Sequence, residues 1–237
     1  MKNIVAALLL AVGLIAAGWF VGQGFERGHN PRHVQVKGLA ERDVKADLAL
    51  WPLRFVEAGN DLKAVQAAIQ RDDALVQGFL ARHAIDAKQI AFRDLEVTDR
   101  AAQSWGDANY PNRYIVSRTL MVRTSDVDTV YKAAQATGEL VDAGVVLDSQ
   151  NGNNTPTYLF NGLNELKPKM ITEATANARE AAAQFVADSG AKLGGILSAN
   201  QGVFQILARD KAPMLQEERQ IDKTVRVVST IDYALDD

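Results

Sequence analysis

Cysteine is absent from this 237-residue chain. Its absence excludes disulfides, thiolate metal sites and a cysteine nucleophile, and it is compatible with an oxidising compartment. Histidine occurs three times, at His29, His33 and His83. His29 and His33 have the four-residue spacing of a helical metal pair. Pro31 stands between them and no third ligand is near, so no metal site is assigned. The chain also lacks a dense Lys/Arg stripe. Its 26 basic and 29 acidic residues leave a net charge of -3, which argues against a nucleic-acid partner. There is no G-x-S-x-G elbow, H-E-x-x-H helix or glycine-rich phosphate loop. No catalytic, cofactor-binding or metal residue is therefore nominated, no cofactor is implied, and enzymatic activity is not expected. A hydrolase is the enzymatic alternative.

Apolar residues make up 47% of the chain, enough for a sizeable core. They are concentrated first in Ile4 to Val21, IVAALLLAVGLIAAGWFV, behind Lys2. As a helix, eighteen residues span about 27 Å, close to a bilayer core of about 30 Å. Ala16-Ala17-Gly18 offers an A-x-A-like cleavage site for a secretory signal. Trp19, Phe20 and the Gly18/Gly22 pair suit an uncleaved membrane anchor, the preferred reading. Both readings export the rest of the chain, either as a periplasmic domain anchored in the inner membrane or as a soluble periplasmic protein. Segment 1–22 is assigned as anchor or signal, glycine-rich 23–32 as a linker, and 33–237 as the folded domain.

Within that domain Val34 and Val36 alternate onto one strand face. Val44 to Val56 reads as a second, long strand, with Ala46, Leu48, Leu50, Pro52 and Phe55 inward and a register shift near Pro52. A proline there implies an edge or a bulge. Asp47, Arg54 and Glu57 could be assembled into an acid/base set, but solvated strand residues are the plainer reading. Asn60-Asp61 caps a helix whose apolar stripe runs Leu62, Val65, Ile69, Val76, Phe79, Leu80 and His83. Ser104-Trp105-Gly106 and Tyr110-Pro111 lie in a loop between strands. With Trp51, these aromatics could line a small-ligand pocket. Tyr114, Val116, Leu120 and Val122 mark another strand. Ser125 to Asp128 resembles a capping box opening a short helix with Val127, Val130, Tyr131 and Ala134 on its face, ended near Gly138. Asn151 to Asn154 has the composition of a hairpin turn between strands 145–150 and 155–160.

Pro168 to Gly202 carries the strongest local pattern. Pro168 suits a first helical position. Met170, Ala174, Ala178, Ala181, Ala182 and Phe185 recur at three- and four-residue spacing on one face. Gly190 suits a left-handed cap. Strands follow near 193–200 and 203–207. A charged, proline-bearing loop covers 208–222, and a last strand puts Val225, Val227, Ile231 and Tyr233 on one face. Helices alternate with strand pairs, so the expected class is α+β. It has antiparallel sheets, two long helices and one short one, a duplicated ββα-like plan, and an N-terminal hydrophobic helix in front.

The segment VQVKGLAERDVKADLALWPL, the NDL helix that follows it and the pairing of AREAAAQF with SGAKLGGILSANQG together resemble the SIMPL domain family, which includes the YggE-like proteins. Val34, Val36, Gly38 and Ala40 match its opening strand. Ala178-Arg179, Ala182 and Gly190 to Gly195 match its helix–glycine module. The resemblance implies an exported or envelope-anchored protein, linked in some members to oxidative-stress defence and in some to ring-like or channel-like homo-oligomers. It carries over no catalytic residue. The expected function is therefore non-enzymatic, through self-assembly or protein contacts in the cell envelope. A periplasmic small-ligand binding module is the alternative.

Overall fold

The computed structural model describes residues 11–21, 32–102, 111–148, 154–212 and 215–236. Residues 11–21 are helical (α1), and their apolar side chains are exposed. Among the described residues no helix is long and apolar enough to cross a membrane; residues 4–10 of the apolar run lie outside them. The domain follows as β1 (His33–Lys45), β2 (Leu48–Gly59), α2 (Leu62–Arg82), β3 (Ile90–Asp99), β4 (Tyr114–Thr124), α3 (Val127–Gln135), α4 (Gly138–Asp142), β5 (Thr157–Leu159), α5 (Leu163–Ser189), β6 (Lys192–Gln201), β7 (Gln205–Ala208) and β8 (Asp222–Asp236). It is an α+β fold with antiparallel sheets.

Two compact units emerge. One comprises Met1–Glu41, Lys167–Phe204 and Arg226–Asp237; the other comprises Arg42–Leu166 and Gln205–Val225. The larger is built on a sheet of order β3-β4-β2-β5. Strict alternation buries Ala49, Trp51, Leu53 and Phe55 of β2. Val116, Leu120 and Val122 of β4 join them, with Val65, Ile69, Val76, Phe79 and Leu80 of α2 laid over the same core. Each such side chain contributes about 1.5–3 kcal/mol by leaving water. Asp61 caps α2, its carboxylate accepting from the Lys63 and Ala64 amides at 2.8 and 3.0 Å.

The smaller unit is built on β1, β8 and β6, in that order. Its core comprises Val34 and Val36, Ile231 and Tyr233, and Ala178 and Ala182 of α5. The buried residues of α5 are Met170, Ala174, Ala178, Ala182 and Val186, a strict four-residue ridge. Gly38 of β1 is where this ridge comes closest. A Cβ there would lie 1.8 Å from the Ala174 carbonyl oxygen and 2.5 Å from the Ala178 nitrogen. Asn177 donates to the Leu39 carbonyl at 2.7 Å beside it. Gly190, at φ +74°, makes the left-handed turn from α5 into β6.

Several local expectations are corrected. Pro168 lies inside α5, not at its start. Having no amide hydrogen to give, it makes the helix forgo one backbone bond at that point, and the helix continues past it. Ala181 and Phe185 are exposed, the latter by 50%, because the ridge advances by fours onto Val186. Residues 44–56 are not one strand. The chain breaks at Ala46-Asp47, where the Asp47 carboxylate accepts from the Asn161 and Gly162 amides, each at 2.9 Å from Oδ2. Pro52 causes no register shift: it falls between the pairing of β5 with Leu48 to Leu50 and that of Leu147 with Phe55, where this edge of β2 is unpaired among the described residues. Gly138 follows α3 closely, as expected, but it also opens α4, so the expected single short helix is two. The cap of α3 is Asp126, not Ser125. The expected hairpin is replaced by two separate pairings on β2: β5 with its start, and Leu147 with Phe55. Turn residues 151–153 lie outside the described residues. A duplicated plan is not established by this topology, since the two units differ in strand order and helix content.

Candidate functional site

The residues singled out from sequence do not converge. Trp51 is fully buried and its indole donates to the Asn154 carbonyl at 3.0 Å, which makes it a core anchor and not a pocket wall. Trp105 and Tyr110 lie outside the described residues. So does His29, while His33 is the exposed first residue of β1. His83 closes α2, its ring 4.5 Å from that of Phe79 and its Nε2 3.2 Å from Glu139 Oε1. Asp47, Arg54 and Glu57 enter three separate networks. Asp47 holds the 161–162 turn. Arg54 donates to Asp148 at 3.0 Å, Glu96 at 2.8 Å and the Ser117 hydroxyl at 2.7 Å. The hydrogen bond to Arg54 holds the Glu96 carboxyl below its ordinary range. Glu57 faces Arg71 of α2. Among the described residues no group of three or more His, Asp or Glu could hold a metal ion.

Two features stand out. The first is β6, the end strand of its sheet, paired only with β8 among the described strands. Every residue from Gly195 to Gln201 is exposed, so neither face is covered among the described residues. Ile196 and Leu197 are each 49% exposed, and no residue from Leu193 to Gln201 is charged. Register shifts interrupt the pairing on either side of Ile196, and it then runs unbroken from Ser198↔Asp232 to Gln201↔Ser229. Such an edge presents unpaired backbone groups without the charges that usually protect one. The glycine pair was visible in sequence; that its strand would be an unprotected edge was not.

The second is a cleft of about 530 Å³ in the larger unit, lined by Lys45, Asp128, Tyr131, Arg209, Asp222 and Arg219, among others. Most of its charges are internally matched. Lys45 pairs with Asp128, and Arg209 with Asp222 at 2.7 Å and Asp210 at 3.1 Å. Arg219 forms no ion pair among the described residues. It also lines an adjoining hollow of about 330 Å³, together with Tyr131 and Tyr158. Burial pushes the Tyr158 phenol up to about 12, so it stays a neutral donor. No sequence motif marks this cleft, because its walls come from β1, α3 and the 208–222 loop.

The architecture defines an α+β protein of antiparallel sheets, each faced by a long helix, with an open edge at β6 and a charge-matched cleft. The chain belongs to the SIMPL family, described as proteins of unknown function (DUF541), whose family model matches residues 34–231. A search of curated proteins finds no match.

Proposed function

We propose that this chain is a non-enzymatic envelope protein that works by self-assembly through the free edge of β6. The observation that carries this reading is that edge: uncharged, exposed on both faces and regular from Ser198 to Gln201. A strand of a second copy would satisfy its open amides and carbonyls, and Ile196 and Leu197 would lose water contact. The apolar run at 4–21 supports attachment to the inner membrane with the domain on the periplasmic side. A part in oxidative-stress defence would then be indirect, through envelope integrity, because a chain without cysteine has no thiol to oxidise. Light scattering on the full chain in detergent tests the proposal. A discrete oligomer that dissociates in Leu197→Lys supports it; a monomer at every concentration sinks it.

A second reading, a small-ligand binding module, is favoured by Arg219 in its cleft. A ligand with one carboxylate or phosphate and an apolar body would match that guanidinium and the Tyr131 ring. Thermal-shift screening against small carboxylates and phosphate esters should then find a compound that stabilises the wild type and not Arg219→Met. Stabilisation of both alike would count against it.

A further inference from the structure

We infer that Glu57 of β2 and Asp72 of α2 form a proton-sharing carboxyl pair, with Glu57 donating to Asp72 beneath the helix. Asp72 faces the sheet from mid-helix and is 1% exposed. Its Oδ1 accepts from Arg71 Nη2 at 3.3 Å, but its buried Oδ2 has no hydrogen-bond donor. The same Arg71 nitrogen lies 3.6 Å from Glu57 Oε1. Glu57 is on the helix-facing side of β2, in phase with buried Leu53 and Phe55.

The surrounding charges do not neutralise a second anion. On α2, Arg71 is the nearest cation, and its side chain is largely in solvent. Asp73, next to it, is met by Gln77 at 2.7 Å and by Arg118 of β4 at 3.0 Å. The charge of Arg118 is thus matched by Asp73, although its Nε and Asp73 Oδ1 make no hydrogen bond. On β3, Arg93 donates to Gln77. Two carboxyls thus share one exposed guanidinium at a buried position, and ionising both carries the desolvation of a second charge. A proton on Glu57 supplies the one donor that Asp72 Oδ2 lacks. Burial and the contact with Asp72 both raise the Glu57 carboxyl above its ordinary value of 4.5, and Arg71 opposes them only in part.

The sign follows. A glutamate whose folded value is raised contributes stability that is fully present below its ordinary value and is lost as pH rises through the folded value. Helix α2 is therefore held more firmly in acid by this pair than at neutral pH.

The test uses the full chain. The Glu57 carboxyl, followed by ¹³C NMR, should titrate with a midpoint above those of the exposed glutamates. A midpoint among or below theirs overturns the proposal. In parallel, Glu57→Gln replaces the shared proton by a permanent amide donor. The folding equilibrium constant of the variant relative to wild type should rise between about pH 4 and about pH 8. A ratio independent of pH overturns the proposal as well. If Glu57→Gln does not fold, the wild-type titration decides alone.

Discussion

Gly38 and Ala174 meet at a distance that admits no side chain, since a Cβ on Gly38 would stand 1.8 Å from the Ala174 carbonyl oxygen. The alanine ridge of α5 is therefore seated on a strand of its own chain. Gly38→Ala must push the helix off β1. The expected loss is about 1–3 kcal/mol or more, as for other overpacked sites, read as a lower urea midpoint. Gly195→Ala, where the added methyl meets nothing within 4 Å, should leave the midpoint nearly unchanged. Equal effects would mean that α5 does not pack as described.

Lys223 offers a contrast between removing a charge and stranding one. Its side chain is 0% exposed, and its ammonium is held by Glu217 through both the side chain and the backbone carbonyl, the latter at 2.8 Å. Glu217→Ala leaves a buried cation without its counter-ion and should cost about 3–5 kcal/mol. Lys223→Met removes the charge and keeps the volume, so it should cost markedly less. Chemical denaturation of both variants at neutral pH checks the order, and a reversed order would refute the pairing.

Asp126 caps α3 by accepting from the Thr129 amide at 3.1 Å and its hydroxyl at 2.7 Å. The Thr129 hydroxyl, then its amide, holds the Asp126 carboxyl below its ordinary value of 3.8. A depressed carboxylate contributes stability that is present above the ordinary value and lost as pH falls through the folded one. Asp126→Ala should therefore cost about 1 kcal/mol at neutral pH, with the gap closing in strong acid. A gap that widens with acidification would contradict the geometry.

The proposed assembly edge makes a fourth prediction. Ser198→Pro removes one backbone donor in the regular stretch of β6, and Leu197→Lys adds a charge beside it. If a second copy docks there, Leu197→Lys should yield smaller particles by sedimentation while the circular dichroism stays that of the wild type. Unchanged particle size in a folded Leu197→Lys protein would place any assembly surface elsewhere.

Much of this fold was legible locally. Met170, Ala174, Ala178 and Ala182 announce a buried helix face because burial follows the helical period. Gly190 announces its end because few other residues tolerate a positive φ. Pro52 suggests a shift in register that would turn Leu48 and Leu50 inward, whereas Ala49 and Trp51 are the buried residues there. Only the short reach of β5 shows why no shift is needed. The Glu57–Asp72 pair was illegible. Neither residue forms a motif with its sequence neighbours, and fifteen positions and a change of secondary structure separate them.

By itself the sequence determined the absence of thiol chemistry, the α+β class, the family and the periodic faces of the long helices. These depend on composition or on short-range spacing, which each segment carries alone. The tertiary structure alone decided that the alanine face meets β1, that β6 is left as an open edge, that Trp51 is core, and that Arg219 and the Glu57–Asp72 pair occupy their environments. Those outcomes depend on which distant segments come together, and the free energy that selects among such pairings is a property of the packed whole.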